Sequence, residues 1–111
     1  MSREADDLAE RIRMMIGDDP NISEKRMFGG IVFMLNGNML VGSMKDGALL
    51  ARVGKEGYPD ALDRPGAAPM TMAGRQMSGF VRVGDEGIGS DQGLVRWIAL
   101  VTDFVATLPA K

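Results

Sequence analysis

Two segments of the chain, one near each end, repeat apolar residues at helical spacing. Over residues 2–16 these residues recur at i, i+3 and i+4, which predicts an amphipathic helix with Ser2 as its N-cap and Gly17 as its stop. Ser90 is a suitable N-cap for a long closing helix that ends before Pro109. The apolar positions of that closing helix are Leu94, Trp97, Ile98, Val101, Phe104, Val105 and Leu108.

Three apolar runs in the first half of the chain are separated by tight-turn dipeptides, which is typical of strands. In residues 31–35, period two places Ile31, Phe33 and Leu35 on one face of a strand and Val32 and Met34 on the other. Asn36-Gly37 then predicts a two-residue hairpin loop with positive φ at both positions. A second strand follows, and Asp46-Gly47 predicts another tight turn before a third strand over residues 48–53. These signals together predict an antiparallel meander. In its second strand, period two places Met39, Val41 and Ser43 on one face.

After the third strand, the chain alternates between residues that break regular structure and short apolar segments. Pro59 is expected in the first turn of a short helix that runs to about Arg64. A second hairpin is expected next, in which residues 70–72 pair with residues 77–83 around a turn near Gly74-Arg75.

The order of these elements is α-β-β-β-α-β-β-α, which predicts an α+β fold of two layers. We expect helices to pack on an antiparallel sheet of about five strands, with a bulge at Gly79 in the last strand. At this length, residues 1–111 are expected to form a single domain with its own core.

The composition argues against several classes of protein. The chain has no cysteine and no histidine, so it lacks a thiol nucleophile, the usual general base near neutral pH and the commonest metal ligands. We therefore expect no catalytic activity, no metal and no cofactor. No apolar stretch approaches the ~20 residues of a membrane span, and the N-terminus is charged rather than signal-like. A cytoplasmic protein without a membrane partner is the expectation.

Charge is distributed unevenly along the chain. The overall net charge is −2, but residues 22–82 carry eight basic and five acidic residues and are therefore net positive between two acidic ends. Such a segment suits an acidic partner, although ordinary solvated surface is the alternative. The isoelectric point of about 5.0 argues against nucleic-acid binding, which usually goes with a pI above ~9.

The run Arg26-Met27-Phe28-Gly29-Gly30, with Gly37-Asn38-Met39 after the next strand, is similar to the signature of the TfoX N-terminal domain family. The closing helix contains Leu94-Val95-Arg96-Trp97, which resembles the Leu-x-x-Trp of that family. The resemblance covers roughly residues 4–107. It implies a protein related to the bacterial competence regulator TfoX, also called Sxy, and hence a transcription-related partner protein. The longer competence regulators add a C-terminal helical domain, which is not expected in this chain.

Four arginines are the candidate partner-binding residues, and two of them, Arg52 and Arg82, lie on predicted strands and could project from the same face of the sheet. Their planar guanidinium groups can bind carboxylates or phosphates bidentately. The alternative is that they cover the exposed face and pair with Glu or Asp. The candidate partner-binding residues are Arg26, Arg52, Arg75 and Arg82. Six further residues form the structural motif: Met27 and Phe28 as core anchors, Gly29 and Gly30 at a backbone bend, Gly37 in a turn and Trp97 in the core.

Other interpretations of these residues stay open. The backbone of Gly29-Gly30 could cradle an anion, and thioethers among the ten methionines, notably Met70, Met72 and Met77, could hold Cu(I) or line a partner groove. The acid pairs Asp60 with Asp63 and Asp85 with Glu86 could act together only if they faced one another across a pocket.

A non-catalytic regulatory module that contacts another protein is the leading functional hypothesis. Self-association as a homodimer could use the same surface. The alternatives are direct nucleic-acid binding through the basic middle segment, and a domain that binds a small ligand.

Overall fold

The computed structural model describes residues 3–27 and 29–111, which form four helices and six strands in the order α-β-β-β-β-α-β-β-α-α. The helices are α1 (Arg3–Ile16), α2 (Gly54–Leu62), α3 (Asp85–Ile88) and α4 (Asp91–Val105). The strands are β1 (Ile22–Met27), β2 (Gly30–Leu35), β3 (Asn38–Ser43), β4 (Leu49–Arg52), β5 (Ala67–Met72) and β6 (Arg75–Val83).

The six strands form one antiparallel sheet in the order β1-β2-β3-β4-β6-β5. All four helices contribute side chains to a single hydrophobic core against one face of this sheet. Leu8 and Ile12 come from α1, and Leu94 and Val101 come from α4, while Phe33 is a central core residue of the sheet. The α+β class, the two layers and the antiparallel sheet are therefore confirmed.

Both long helices begin and end close to their predicted positions. Ser90 caps α4, since its Oγ accepts a hydrogen bond of 3.0 Å from the amide of Gly93. Gly17 ends α1 with φ +71° and donates its amide to the carbonyl of Arg13. The predicted N-cap Ser2 lies outside the described residues. Leu108 packs on the core, although α4 ends three residues before it.

The first strand was not predicted, because residues 22–27 carry little apolar pattern. β1 lies at the edge of the sheet and pairs with β2 from Ile22↔Leu35 to Met27↔Gly30. Four of its six residues are exposed. An edge strand is held mainly by its backbone ladder to a single neighbour, so a charged sequence can form one. The sheet therefore has six strands rather than about five.

Two of the hairpin loops have two residues and positive φ at both of them. Asn36 and Gly37 have φ of +53° and +83°, as the sequence predicts. In the β5–β6 hairpin the same conformation is found at Ala73 and Gly74, with φ of +52° and +77°, so this turn lies one residue earlier than predicted. Alanine at positive φ gives no sequence signal, which explains the displacement.

Two irregularities interrupt the period-two pattern. Between β2 and β3, Phe33 pairs with Val41 and Met34 pairs with Met39, so Leu40 is the extra residue. Leu40 and Val41 are consequently both in the core, and the prediction that Met39 and Val41 share a face is wrong. In the β5–β6 pair the register shifts over the segment of β6 that contains Gly79, which has φ +83°. The expected bulge is therefore confirmed.

Helix α2 begins five residues before Pro59, so the prediction that this proline lies in the first turn is wrong. Gly54 starts the helix with φ +80°, and a Cβ at this position would lie 2.5 Å from the ring of Phe104. The chain can therefore turn directly from β4 into α2, with the first residue of the helix against Phe104 of α4. Pro59 removes one intrahelical hydrogen bond, to the carbonyl of the exposed Lys55.

The residues after α4 pack against the β2–β3 turn. The amide of Lys111 donates to the carbonyl of Asn36 at 2.9 Å, and the side chain of the buried Asn38 donates to the carbonyl of Pro109 at 2.9 Å. The hydrogen bond to Pro109 explains why a polar residue, Asn38, is buried immediately after the turn. Over the described part of the chain, no helix has the length and apolar character that crossing a membrane requires.

Candidate functional site

The face of the sheet opposite the helices, which we call the outer face, is unusually apolar. A sheet with only one packed face normally presents polar side chains on the other. Here Val32 and Leu50 lie directly across Gly42 from each other and are only 1% and 2% exposed. The half-buried side chains of the outer face include Met34, Met39, Arg52, Phe80 and Arg82.

Arg52 lies on the outer face with its guanidinium stacked on an aromatic ring. Its Cζ is 5.6 Å from the ring centroid of Phe80, the residue directly opposite on β6. One hydrogen bond, at 3.5 Å, joins its Nη1 to the carbonyl of Met39. In the described chain no carboxylate lies within ion-pair distance of Arg52. Its charge is thus positioned by a ring but not neutralised by an acid.

Arg82 lies on the same face but is paired. It is directly opposite Leu50, which is two residues before Arg52, so the two arginines share a face, as expected, and are diagonal neighbours. Its guanidinium donates to the carboxylate of Asp46 in the β3–β4 turn. The pKa of Asp46 is lowered, first because the amide of Ala48 donates to its carboxylate and then because of Arg82. For Arg82, the alternative that it pairs with an acid on the exposed face is therefore confirmed.

The other two candidate arginines lie elsewhere. Arg26 is opposite Ile31, a core residue, so it lies on the helix side of the edge strand β1. Arg75 is the first residue of β6, beside the β5–β6 turn and near the opposite edge of the sheet. Both are exposed. The structure therefore brings together Arg52 and Arg82 but not all four.

On the helix side of β1, a charged pair joins the strand to α1. Arg13 donates to both carboxylate oxygens of Glu24, at 2.7 and 2.8 Å, and to Glu10 at 3.0 Å. The hydrogen bonds from Arg13 lower the pKa of Glu24, and those to Glu24 in turn raise the pKa of Arg13. The pair borders a cleft of about 410 Å³ whose wall includes Ile22.

The backbone conformation requires glycine at both positions of the Gly29-Gly30 motif, as predicted. Gly29 has φ +74° in the β1–β2 connection, and a Cβ on Gly30 would lie 1.7 Å from the carbonyl oxygen of Ser43. Met27 is half-buried at the end of the edge strand and is not part of the core, so its prediction as a core anchor is wrong. It pairs with Gly30 at the end of the ladder, away from the helices. Phe28 lies outside the described residues.

Trp97 is a buried core residue, as predicted, and it also forms the floor of a cleft of about 190 Å³. The guanidinium of Arg64 lies 5.7 Å from its ring centroid. Arg96 and Glu86 line the same cleft. Arg64 and Arg96 carry no signal of this cleft in the sequence, because they come from separate segments of the chain, and Glu86 was considered only as a partner of Asp85.

The remaining candidates from the sequence do not converge. Met70 is buried, and Met72 lies next to the turn opposite Arg75. Each acid of the pairs Asp60 with Asp63 and Asp85 with Glu86 is exposed. Within residues 3–27 and 29–111, no three side chains of the His, Cys, Asp and Glu types come close enough together to hold a metal ion.

Comparison with known proteins agrees with the resemblance found in the motif residues. The family model of the TfoX N-terminal domain matches residues 15–105, which include the Gly29-Gly30 bend, both outer-face arginines and Trp97. Neither a curated protein nor a solved structure gives a significant match. Since the matched region is most of its length, this chain belongs to the TfoX N-terminal domain family.

Proposed function

We propose that this chain is a non-catalytic regulatory module that binds another protein through the outer face of its sheet. The observation that carries this proposal is the group of half-buried side chains on the outer face, in which Arg52 lies between Met39 and Phe80. Arginine, methionine and aromatic side chains are enriched at protein–protein interfaces relative to the rest of the protein surface. Methionine side chains suit such a surface because they adapt to the shape of a partner.

Arg52 supplies the polar anchor in this proposal. Its guanidinium is held over Phe80 and has no acid beside it in the described chain, so a carboxylate of the partner can bind to it. Arginine and aromatic residues are the types that dominate binding energy at protein interfaces. Arg82 contributes a second charge, which Asp46 already neutralises in part.

The regulatory part of the proposal comes from the family. The resemblance to competence regulators implies a transcription-related partner in the cytoplasm. The absence of histidine and cysteine from the sequence supports a binding role over a catalytic one, because the side chains that most often act as bases and nucleophiles are missing.

Affinity capture with paired variants tests this proposal. A tagged chain and its Arg52→Ala/Arg82→Ala variant would be purified from gentle lysates, with and without nuclease, and the accompanying proteins identified. The double variant should lose a partner that the unaltered chain retains after nuclease treatment. Arg26→Ala is the matched control, since it removes an exposed arginine on the helix side of β1, away from the outer face.

Thermal unfolding of each variant by circular dichroism would verify that the fold persists. Equal capture by the outer-face variant and the control would refute the assignment of the surface. Capture that disappears with nuclease would overturn the protein-binding proposal in favour of nucleic acid. Recovery of the chain alone would overturn it in favour of self-association or a small ligand.

A further inference from the structure

A second concave site lies apart from the outer face, where the start of α4 meets α3 and the segment before β5. Its volume is about 190 Å³, which is smaller than the roughly 300–1,000 Å³ of pockets for drug-sized ligands. The residues around it come from segments that are distant in sequence, including Arg64, Glu86 and Arg96. A cleft of this size admits one small chemical group.

Close backbone packing shapes this cleft. A Cβ on Gly93 would lie 2.3 Å from the carbonyl oxygen of Gly87, and a Cβ on Gly87 would lie 2.6 Å from the carbonyl oxygen of Pro65. Gly87 is also next to the floor, since its Cβ position is 3.1 Å from Nε1 of Trp97. The three chain segments are therefore in direct contact, and the wall of the cleft is held by backbone rather than by mobile side chains.

Two guanidinium groups line the cleft without an acid to neutralise them. In residues 3–27 and 29–111, neither Arg64 nor Arg96 has a carboxylate within ion-pair distance. The nearby Asp91 is engaged by Arg11 at 3.2 Å. Glu86 is the one acidic side chain in the lining, so the lining carries one net positive charge.

From this arrangement we propose that the cleft binds a phosphate group, held between the guanidinium groups of Arg64 and Arg96. Guanidinium is planar, stays charged and matches the oxygens of phosphate bidentately. The stacking of Arg64 on Trp97 restricts one of the two groups before the ligand arrives. The phosphate comes either from the free ion or from a small phosphate ester.

Trp97 is the only tryptophan of the chain and lines this cleft, so tryptophan fluorescence comes from a single side chain at the site. Inorganic phosphate and glycerol phosphate would be titrated separately. Potassium chloride at matched ionic strength and potassium acetate would be the control titrations. We expect a saturable change in the fluorescence of Trp97 with either phosphate compound, a weaker change with acetate and none with chloride. Saturation by only one of the two compounds would identify the source of the phosphate group.

Variants locate the binding and separate it from general charge effects. Arg64→Gln and Arg96→Gln should each weaken binding about tenfold, because each removes a charge-assisted pair of hydrogen bonds. Glu86→Gln should strengthen binding a few-fold, since it removes the opposing charge. Arg75→Gln, at an exposed arginine beside a distant turn, should leave the affinity unchanged.

Because Arg64 contacts the fluorophore, its variant would also be measured by isothermal titration calorimetry, with circular dichroism to verify folding. A signal that follows ionic strength alone, or equal binding by Arg64→Gln, Arg96→Gln and Arg75→Gln, would overturn the proposal. Tighter binding of acetate than of phosphate would overturn it in favour of a carboxylate ligand. The variants at Arg64, Arg96 and Glu86 do not alter the outer face, so the two proposals can fail separately.

Discussion

Gly30 and Ser43 approach each other so closely that any Cβ on Gly30 would lie 1.7 Å from the carbonyl oxygen of Ser43. This contact joins the start of β2 to the end of β3, directly beside the Ile31↔Ser43 pair of the ladder. The second glycine of the Met-Phe-Gly-Gly motif therefore has a packing role that no other residue can fill.

Replacing that glycine should destabilise the sheet strongly. We expect Gly30→Ala to lower the free energy of unfolding by about 3 kcal/mol, because one of the two strands has to move. Chemical denaturation would measure the difference. Gly57→Ala is the matched control: its Cβ would meet only Val53, at 3.9 Å, within α2, so it should be neutral or slightly stabilising. Equal stability of the two variants would contradict this account.

The Arg13–Glu24 pair makes stability depend on pH. The folded chain holds the pKa of Glu24 below its ordinary value of 4.5, mainly because Arg13 donates hydrogen bonds to it. The carboxylate of Glu24 therefore takes up a proton more readily in the unfolded chain than in the folded one. The stabilisation from the pair is present above the ordinary pKa of 4.5 and is lost as the pH falls through the lower pKa of the folded chain. Glu24→Gln should cost less than about 1 kcal/mol at neutral pH, since both partners are substantially exposed.

Urea denaturation of this variant and of the unaltered chain, at several pH values from neutral downward, would test the dependence. The difference between the two stability curves should shrink as the pH is lowered. Glu56→Gln removes an exposed acid with no ion pair in the described chain and should show no such convergence. A pH-independent difference for Glu24→Gln would show that the carboxylate charge is not responsible.

Asn38 links the β2–β3 turn to the residues after α4. Asn38→Ala should lower stability by about 1–3 kcal/mol, because it leaves the carbonyl of Pro109 without its hydrogen bond. It should also speed hydrogen exchange at the amide of Lys111, which donates to Asn36. Exchange measured by NMR would show this, with the exposed Asn21→Ala as control. Unchanged exchange at Lys111 would mean that the turn holds the terminal residues without Asn38.

The N-cap of α4 offers a local test of helix stability. Ser90→Ala should cost about 1 kcal/mol, because the amide of Gly93 loses its acceptor. Ser90→Asp restores an acceptor at the same position and should recover most of the loss. Thermal unfolding would compare the three proteins, and similar values for the alanine and aspartate variants would argue against capping by this side chain.

Period-two and helical patterns predicted the elements that bury an apolar face, but they missed β1 and the start of α2. β1 is charged and exposed, so its formation depends on backbone pairing with β2 rather than on its own pattern. The start of α2 depends on the contact between Gly54 and Phe104, which are fifty residues apart. Neither relationship leaves a local signal.

In the candidate sites, too, some features could be predicted from local pattern and others depended on contacts between distant segments. The expectation that Arg52 and Arg82 could share a face came from their positions on strands, because a strand side chain points to one of only two faces. Those positions could not predict that Arg82 pairs with Asp46 while Arg52 stacks on Phe80. Those partners depend on which strands are neighbours.

By itself, the sequence determined the α+β class, both long helices, the Asn36-Gly37 turn and the need for glycine in the Met-Phe-Gly-Gly motif. Local rules are sufficient for these features, since backbone conformation and apolar periodicity act over a few residues. Only the tertiary structure decided the strand order, the apolar outer face and the cleft between Arg64 and Arg96. Those features arise where distant segments pack together, and the energies that select them belong to contacts between segments rather than to any one of them.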